Sequence, residues 1–307
     1  MARRVQITDF GGPENFEVVD QQIPDAGLRE FRVRVLAAGL NPVDAKIAAD
    51  PANAERYGVT LPAGSGNDFA GRIDQVGARA IGFDVGQMVF GGARMLAQAD
   101  YVVVGPDALT LIPDGLSVPK AASLDIAGRT AMAMVREMEI SPADTVLVSA
   151  AAGGVGALTA QLCRLRGATV IGTASERNHE LLRSRGILPV TYGDGLADRV
   201  REAAPQGIDI VLDHSGRETL ETAIALGVPA NRVNTIADRP FAAEHGFSDY
   251  ARAESTHDEL RALAELVAEG TIDLPIEATY PLDHVREAYE HLLTGHVRGK
   301  IVLTLED

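Results

Sequence analysis

The 307-residue sequence has no tryptophan, one cysteine and only three lysines, Lys46, Lys120 and Lys300. A single cysteine, Cys163, excludes an intrachain disulfide and any cluster of thiolate metal ligands. It falls on a helical apolar pattern and reads as a small core residue. Aromatics make up 5% of the chain, which disfavours a platform for stacking bases. The net charge is −15 and the arginines are scattered without a basic run, so a phosphate-backbone partner is disfavoured as well. The acidity is read as a contribution to solubility. No apolar run reaches the roughly 20 residues that span a bilayer. The start, Met1-Ala2-Arg3-Arg4-Val5, leads into a strand-like alternation and not into an apolar signal core. The expectation is a soluble, cytoplasmic protein with no nucleic-acid and no membrane partner.

What is present is an ordinary globular balance, 46% hydrophobic and 23% charged, in a chain long enough for two cores. The first 115 or so residues read as β-rich. Val5 and Ile7 alternate with polar neighbours, as do Phe31, Val33 and Val35, and turn signals such as Gly11-Gly12-Pro13 and Asn41-Pro42 separate the segments. Further short strands are expected between Ala70 and Val104, and no helix is expected to interrupt the strands of the first 115 or so residues. Near Pro119 the texture changes. Strands at residues 145–148, 169–172, 188–192, 208–212 and 232–236 alternate with helical patterns, the signature of a doubly wound parallel sheet. In the helix after the first of these strands, Val155, Leu158, Leu162 and Leu165 share one face. A helix over about 258–269 and a strand over 300–305 complete the reading.

The chemistry-bearing motif is Ala150-Ala151-Ala152-Gly153-Gly154-Val155-Gly156, set between a strand and a helix. There Gly153 and Gly154 permit close approach of a pyrophosphate, and Gly156 permits the helix to pack on the strand. The helix N-terminus adds free N–H donors and a partial positive charge. A bare glycine pattern is weak; one placed in a strand–turn–helix–strand unit over residues 145 to 177 is strong, and it points to a Rossmann dinucleotide site. Ala152, Gly153, Gly154 and Val155 are the candidate pyrophosphate contacts. NAD enzymes place an acid at the end of the second strand, where this chain has Gly172-Thr173-Ala174-Ser175-Glu176-Arg177. Ala174 stands at the acid's position, Ser175 can donate to a 2′-phosphate and Arg177 can pair with it, which favours NADP(H). Glu176 is the counter-signal, since an offset of one residue restores an acid. Tyr192 is a candidate to lie against the adenosine, and His214 and Ser215 are candidate neighbours of the nicotinamide half; Ser215 reads equally as a helix cap.

The run from Asp144 to Arg164, D-T-V-L-V-S-A-A-A-G-G-V-G-A-L-T-A-Q-L-C-R, resembles the signature of the quinone oxidoreductase (zeta-crystallin-like) branch of the medium-chain dehydrogenase/reductase superfamily. Gly39-Leu40-Asn41-Pro42-Val43-Asp44, Gly66-Asn67-Asp68-Phe69-Ala70-Gly71, Val85-Gly86-Gln87-Met88-Val89, Ala127-Gly128-Arg129-Thr130-Ala131 and the terminal Gly299-Lys300-Ile301-Val302-Leu303 extend the resemblance over nearly the whole chain. The resemblance implies an α/β protein whose Rossmann sheet, residues 119–258, is inserted into a β-rich GroES-like catalytic domain formed by 1–118 and 259–307. It also implies a homodimer. Asn41 would bond the nicotinamide-side ribose or a substrate oxygen, and Thr130 would lie against the nicotinamide.

Zinc alcohol dehydrogenases of the same superfamily carry an early Cys where this chain has Asn41, and a Gly-His-Glu turn where it has Gly66-Asn67-Asp68. No His, Cys and carboxylate set at ligand spacing is left among the seven histidines, so no metal is expected. Without a Lewis acid, reduction of an electron-poor π-system, a quinone or an α,β-unsaturated carbonyl such as an enone or enal, suits the site better than alcohol oxidation. Tyr57 precedes Leu61-Pro62 and the Gly-Asn-Asp turn in an order similar to the loop of 2-enoyl-thioester reductases, and a neutral phenol can serve as a general acid. Asp44 and Asp68 read as structural turn and contact residues. Two alternatives stay open: a 2-enoyl-thioester reductase using Tyr57, and a non-catalytic NADPH-binding sensor or structural protein.

Overall fold

The computed structural model describes residues 1–251 and 255–306. Its strands are β1 (Ala2–Ile7), β2 (Phe16–Gln21), β3 (Phe31–Gly39), β4 (Ala63–Gly64), β5 (Asp68–Val76), β6 (Met88–Gly92), β7 (Tyr101–Val104), β8 (Leu109–Leu111), β9 (Thr145–Val148), β10 (Thr169–Thr173), β11 (Leu188–Val190), β12 (Ile210–Asp213), β13 (Val233–Thr235), β14 (Ile276–Pro281) and β15 (Lys300–Thr304). The chain divides into two compact units. The first holds Met1–Ile126, Leu260–Thr271 and Pro275–Asp307; the second holds Ala127–Glu259 and Ile272–Leu274. Among the described residues no helix is long and apolar enough to cross a membrane.

The first unit is built on antiparallel pairing. Phe31, Val33 and Val35 alternate inward along β3 and are fully buried, as period-2 patterning requires. The main sheet runs β14-β15-β3-β5-β6-β8, with β7 also paired to β3, and a smaller sheet runs β2-β1-β4. The chain's last strand, β15, lies antiparallel to β3, with Val302 opposite Gly39 and the Leu40 N–H donating to the Ile301 carbonyl at 3.0 Å. That pairing brings Lys300 close to residue 41 despite 259 residues of separation. The core beneath includes Phe69, Ile73 and Phe16, whose ring stacks on Tyr289 at 4.2 Å.

Two helices, Pro42–Ala49 and Pro51–Arg56, interrupt the strands where none was expected. The signal was hidden in the Asn-Pro pair, which reads as a turn. Here Asn41 is the N-cap, Pro42 occupies the first helical turn, and the Asp44 carboxylate reaches back to accept from the Asn41 N–H at 2.9 Å.

The second unit carries a five-stranded parallel sheet in the order β11-β10-β9-β12-β13, that is 3-2-1-4-5 in chain order. A single bridge between Asn234 and Ser248 continues it past β13. All four residues of β9 are buried, as in a strand covered on both faces. In the following helix, Gly154–Leu165, Leu158 and Leu162 are buried but Leu165 is half exposed, so the expected apolar face ends one turn early. Cys163 is buried on this helix, and burial pushes its thiol up to about 12. Gln161 donates to the Asp273 carbonyl at 2.9 Å and accepts from the Asp273 N–H at 2.9 Å. The signature glutamine thus fixes the short segment Ile272–Leu274 within this unit.

Candidate functional site

The glycine turn joins the C-terminal end of β9 to the helix Gly154–Leu165. Ala150 holds a left-handed φ of +47°, which costs about 1 kcal/mol for a residue with a Cβ. That conformation turns its carbonyl inward, where it accepts from the Gly153 N–H at 2.9 Å. A Cβ on Gly156 would lie 2.2 Å from the same oxygen, so the strand-to-helix packing requires glycine there. Gly153 is different. A Cβ on it would have one neighbour within 4 Å, the Ala150 carbonyl oxygen at 3.3 Å, a close contact but not the overlap found at Gly156. Residues 153–155 are partly exposed, and Gly153 as N-cap gives no side-chain acceptor to the first helical turn. Partly exposed residues without a side-chain cap, at the positive end of a 12-residue helix, fit a pyrophosphate.

At the end of β10, Ala174 is buried and its N–H donates to the Val190 carbonyl, so no carboxylate occupies that position. Ser175 caps a short 3-10 turn, Glu176–Asn178, and accepts from the Asn178 amide at 3.2 Å. Glu176 and Arg177 are exposed on that turn. Tyr192 is also exposed, two residues past β11.

The end of β12 carries a hub that the sequence did not reveal. Asp213, fully buried, accepts from Ser149 Oγ at 2.8 Å, Thr235 Oγ1 at 2.6 Å, the Gly216 N–H at 2.9 Å and the Ser215 N–H at 3.0 Å. It ties together the ends of β9, β12 and β13. Gly216, at φ +113°, and not Ser215, is the N-cap of the helix Arg217–Ala225, while Ser215 Oγ bonds Thr219 at 2.9 Å. His214 Nδ1 lies 3.1 Å from the Ser149 carbonyl, which can only accept, so Nδ1 carries the proton. Its Nε2 lies 3.1 Å from Thr159 Oγ1. Burial pushes the ring down to about 4, and His214 is a neutral imidazole at physiological pH. Thr130 is buried on the helix Asp125–Glu137.

In the first unit, Asn41 sits in a buried polar network. Its Nδ2 donates to Asp68 Oδ2 at 3.0 Å and its Oδ1 accepts from Lys300 Nζ at 2.5 Å. Asp68 Oδ1 accepts from the Ile126 N–H at 3.1 Å, and its other oxygen lies 3.7 Å from Lys300 Nζ. Asp44 accepts from Asn67 and, at 3.5 Å, from the Tyr289 hydroxyl, which itself accepts from Gln98 at 2.9 Å. Burial pushes Asp44 up to about 6, against the pull of the Asn67 and Asn41 donors. Burial also raises Asp68 and lowers Lys300, each effect opposed by the partner's charge. It holds the Tyr289 phenol far above its ordinary range, with the Asp44 charge adding to the rise. Asp44 thus serves its own helix turn, and Asp68 holds contacts within a wider buried network. Among the described residues, no three or more His, Cys, Asp or Glu side chains are grouped to hold a metal ion.

Tyr57 ends the helix Pro51–Arg56; its ring lies under the Arg94 guanidinium at 5.9 Å, and its carbonyl accepts from that group at 3.3 Å. It is half-buried against the first unit's core. The structure therefore gathers the glycine turn, Ser175, Arg177, His214 and Ser215 at the strand ends of the second unit, with Thr130 in the same unit, and places Asn41 and Tyr57 in the first. Sequence reasoning missed Lys300, Asp213, Tyr289 and Gln98. A signal existed for two of them: Lys300 and Asp213 are charged residues that each adjoin a three-residue apolar strand run.

Residues 27–149 match the model of the alcohol dehydrogenase GroES-like domain, and residues 189–303 match that of a zinc-binding dehydrogenase. A quinone oxidoreductase of Pseudomonas aeruginosa is 29% identical over 99% of both chains. The solved quinone oxidoreductase of Coxiella burnetii is 30% identical over 99% of both chains, with a TM-score of 0.88. The Escherichia coli quinone oxidoreductase solved with NADPH shares the fold, with a TM-score of 0.86 at 24% identity over 99% of this chain and 100% of that one.

Proposed function

Because the chain belongs to the quinone oxidoreductase family of the medium-chain dehydrogenase/reductase superfamily, and is an enzyme of that superfamily, we propose that it is an NADPH-dependent, zinc-independent reductase of a quinone or an α,β-unsaturated carbonyl. The observation that carries the cofactor assignment is the end of β10, where a buried Ala174 replaces a ribose-binding acid and Ser175 and Arg177 follow on an open turn. Relatives named quinone oxidoreductases support the acceptor class.

NADPH, when bound, supplies the hydride. The chain's residues hold and orient. The N–H groups of Gly154 and Val155, on the turn that Ala152 and Gly153 form, take the pyrophosphate, and Ser175 and Arg177 take the 2′-phosphate. Tyr192 covers the adenosine, and His214, Ser215 and Thr130 border the nicotinamide half. His214, being neutral, adds no positive charge there. Asn41 donates to a ribose or acceptor oxygen. A quinone delocalises the charge it gains, so the site need only orient it and offer hydrogen bonds, and protons can come from solvent. Tyr57 is the proton donor if the acceptor is an enoyl thioester. The working form is a homodimer, which sedimentation would check.

Loss of NADPH absorbance against a panel of quinones, enones, enals and enoyl thioesters tests the reading, with NADH and a chelator as controls. Turnover with quinones or enones and survival of activity in chelator are expected. Oxidation of NADPH by none of them would leave a cofactor-binding sensor. Activity confined to enoyl thioesters and abolished in Tyr57→Phe would establish the thioester reductase instead.

A further inference from the structure

The polarity of the Asn41 carboxamide is set by its neighbours. The Lys300 ammonium can only donate, and the Asp68 carboxylate can only accept. Oδ1 must therefore face Lys300 and Nδ2 must face Asp68, as observed. A carboxamide without such neighbours turns over at little cost, because its two ends are nearly equal in size and shape. Here both ends are held inside a nearly dry region, where Asn41, Asp68 and Lys300 are each less than 5% exposed. Turning the amide would set its N–H groups against an ammonium and its oxygen against a carboxylate. In surroundings of low dielectric that arrangement is strongly disfavoured.

The clamp is itself fixed. Asp68 is tied by the Ile126 N–H, and Lys300 is delivered by the pairing of β15 with β3. The Asn41 backbone is also committed: its N–H goes to Asp44 Oδ2 and its carbonyl accepts the Asp44 N–H at 3.0 Å. Among the described residues, one of the two N–H groups of Asn41 Nδ2 goes to Asp68, and the second is left over. It is a donor.

We propose that Lys300 and Asp68 are positioning residues that lock the Asn41 carboxamide as a one-way hydrogen-bond donor, so that what it meets in the bound cofactor or substrate is an acceptor oxygen. This rests on the functional reading above for the identity of that oxygen, a ribose hydroxyl or the carbonyl of the electron acceptor, and on the structure alone for the clamp. A carbonyl that gains negative charge as it is reduced is stabilised by a donor whose direction is already set, because no reorganisation is needed as the charge develops. A lysine that merely neutralised Asp68 would have no effect through Asn41, and the two roles are separable.

The experiment is a double-mutant cycle on the full chain with Lys300→Met, Asn41→Ala and their combination, checked for folding by circular dichroism. Each single change is expected to lower kcat/KM for quinone reduction by about tenfold, and the double variant to fall no more than about twofold below Asn41→Ala alone. Independent, multiplied losses in the double variant would overturn the proposal. A second readout needs neither cofactor nor turnover. In protein labelled with 15N-asparagine, the side-chain amide pair that disappears in Asn41→Ala should be shifted and protected from exchange in the wild type, and should lose both features in Lys300→Met. An amide pair unmoved by Lys300→Met refutes the clamp whatever the turnover. A wild type that oxidises no NADPH, with the amide pair still responding, refutes the functional reading and supports the clamp. If Lys300→Met does not fold, Lys300→Gln, which removes the charge and keeps a donor, is expected to shift the amide pair less while abolishing its charge-dependent protection. No change in Lys300→Gln would overturn the proposal.

Discussion

The two units each bury a carboxylate at a strand end, Asp68 in the first and Asp213 in the second, and they satisfy it by opposite means. In the first, Asp68 is buried beside the Lys300 ammonium, and the orientation of Asn41 depends on the charges of both. In the second, Asp213 takes its hydrogen bonds from hydroxyls and main-chain N–H groups, with no cation among them. Charge pairing gives an amide a direction, and it makes that direction sensitive to protonation. Neutral donors give no polarity switch, but four of them converging on one carboxylate anchor three strand ends at once. The first arrangement specifies what a side chain offers; the second specifies where a rim lies.

The largest effect should come from removing the anchor. Asp213→Ala strands Ser149, Thr235 and two N–H groups in a buried region, at roughly 1–3 kcal/mol for each donor left without a partner. Relaxation recovers part of this, and a net loss of about 4 kcal/mol in urea unfolding is expected, with Asp213→Asn near half of it. The glycine turn follows Ser149, so NADPH binding by fluorescence titration should weaken in the same order. A cost below about 1 kcal/mol would mean that the rim is held by strand packing, and the contrast between the units would fail.

The next effects test the sign of pH dependence, which should be opposite in the two units. Asp44 binds its proton more tightly folded than unfolded, with a folded pKa raised to about 6. Its contribution is fully present below the unfolded carboxylate range and is lost as pH rises through about 6. A shift of about two units corresponds to about 3 kcal/mol. Asp68 adds a slope of the same sign, so the measurement is a difference: the stability of the wild type minus that of Asp44→Asn should fall by that amount between pH 4 and 7. His214, pushed down to about 4, does the reverse. The folded chain refuses the proton that the unfolded chain takes up below its ordinary pKa, so stability is lost as pH falls from the usual histidine range toward about 4. His214→Gln should remove that acid-side slope. Slopes of equal sign in the two experiments would break the comparison.

How much of this was readable beforehand follows from the distance over which each feature is encoded. Strand β9 was placed to the residue, because its buried run and the glycine turn are written in a dozen consecutive positions. The parallel alternation of the second unit was legible for the same reason, with ends shifted by one or two residues at β10, β11, β12 and β13. The helix Pro42–Ala49 was not, since Asn-Pro signals a turn and the small residues that follow carry little periodicity. Asn41 could be named from its motif, but the partners that give its amide a direction lie 27 and 259 residues away. Asp213 gathers donors 64 and 22 residues distant, and the apolar run before it marks a buried acid without naming them. Which atom of a ligand each candidate residue meets is further removed, because it depends on the ligand's chemistry as well as on the chain's.

The smallest predicted effect sharpens the contrast between buried networks and an exposed rim. Arg177 lies on the surface turn after β10, outside both networks, and its proposed partner is a 2′-phosphate that NADH lacks. Replacing it by alanine should leave stability within about 0.5 kcal/mol, as for a surface position. It should raise KM for NADPH about tenfold, the equivalent of one charge-assisted bond or about 1.4 kcal/mol, and leave KM for NADH unchanged. The effect should also shrink as salt is added, since an exposed pair is screened over about 10 Å at 0.1 M. Equal losses for the two cofactors would show that Arg177 shapes the turn and reads no phosphate. A preference for NADH already present in the wild type would move the reading to Glu176, one residue earlier on the same turn.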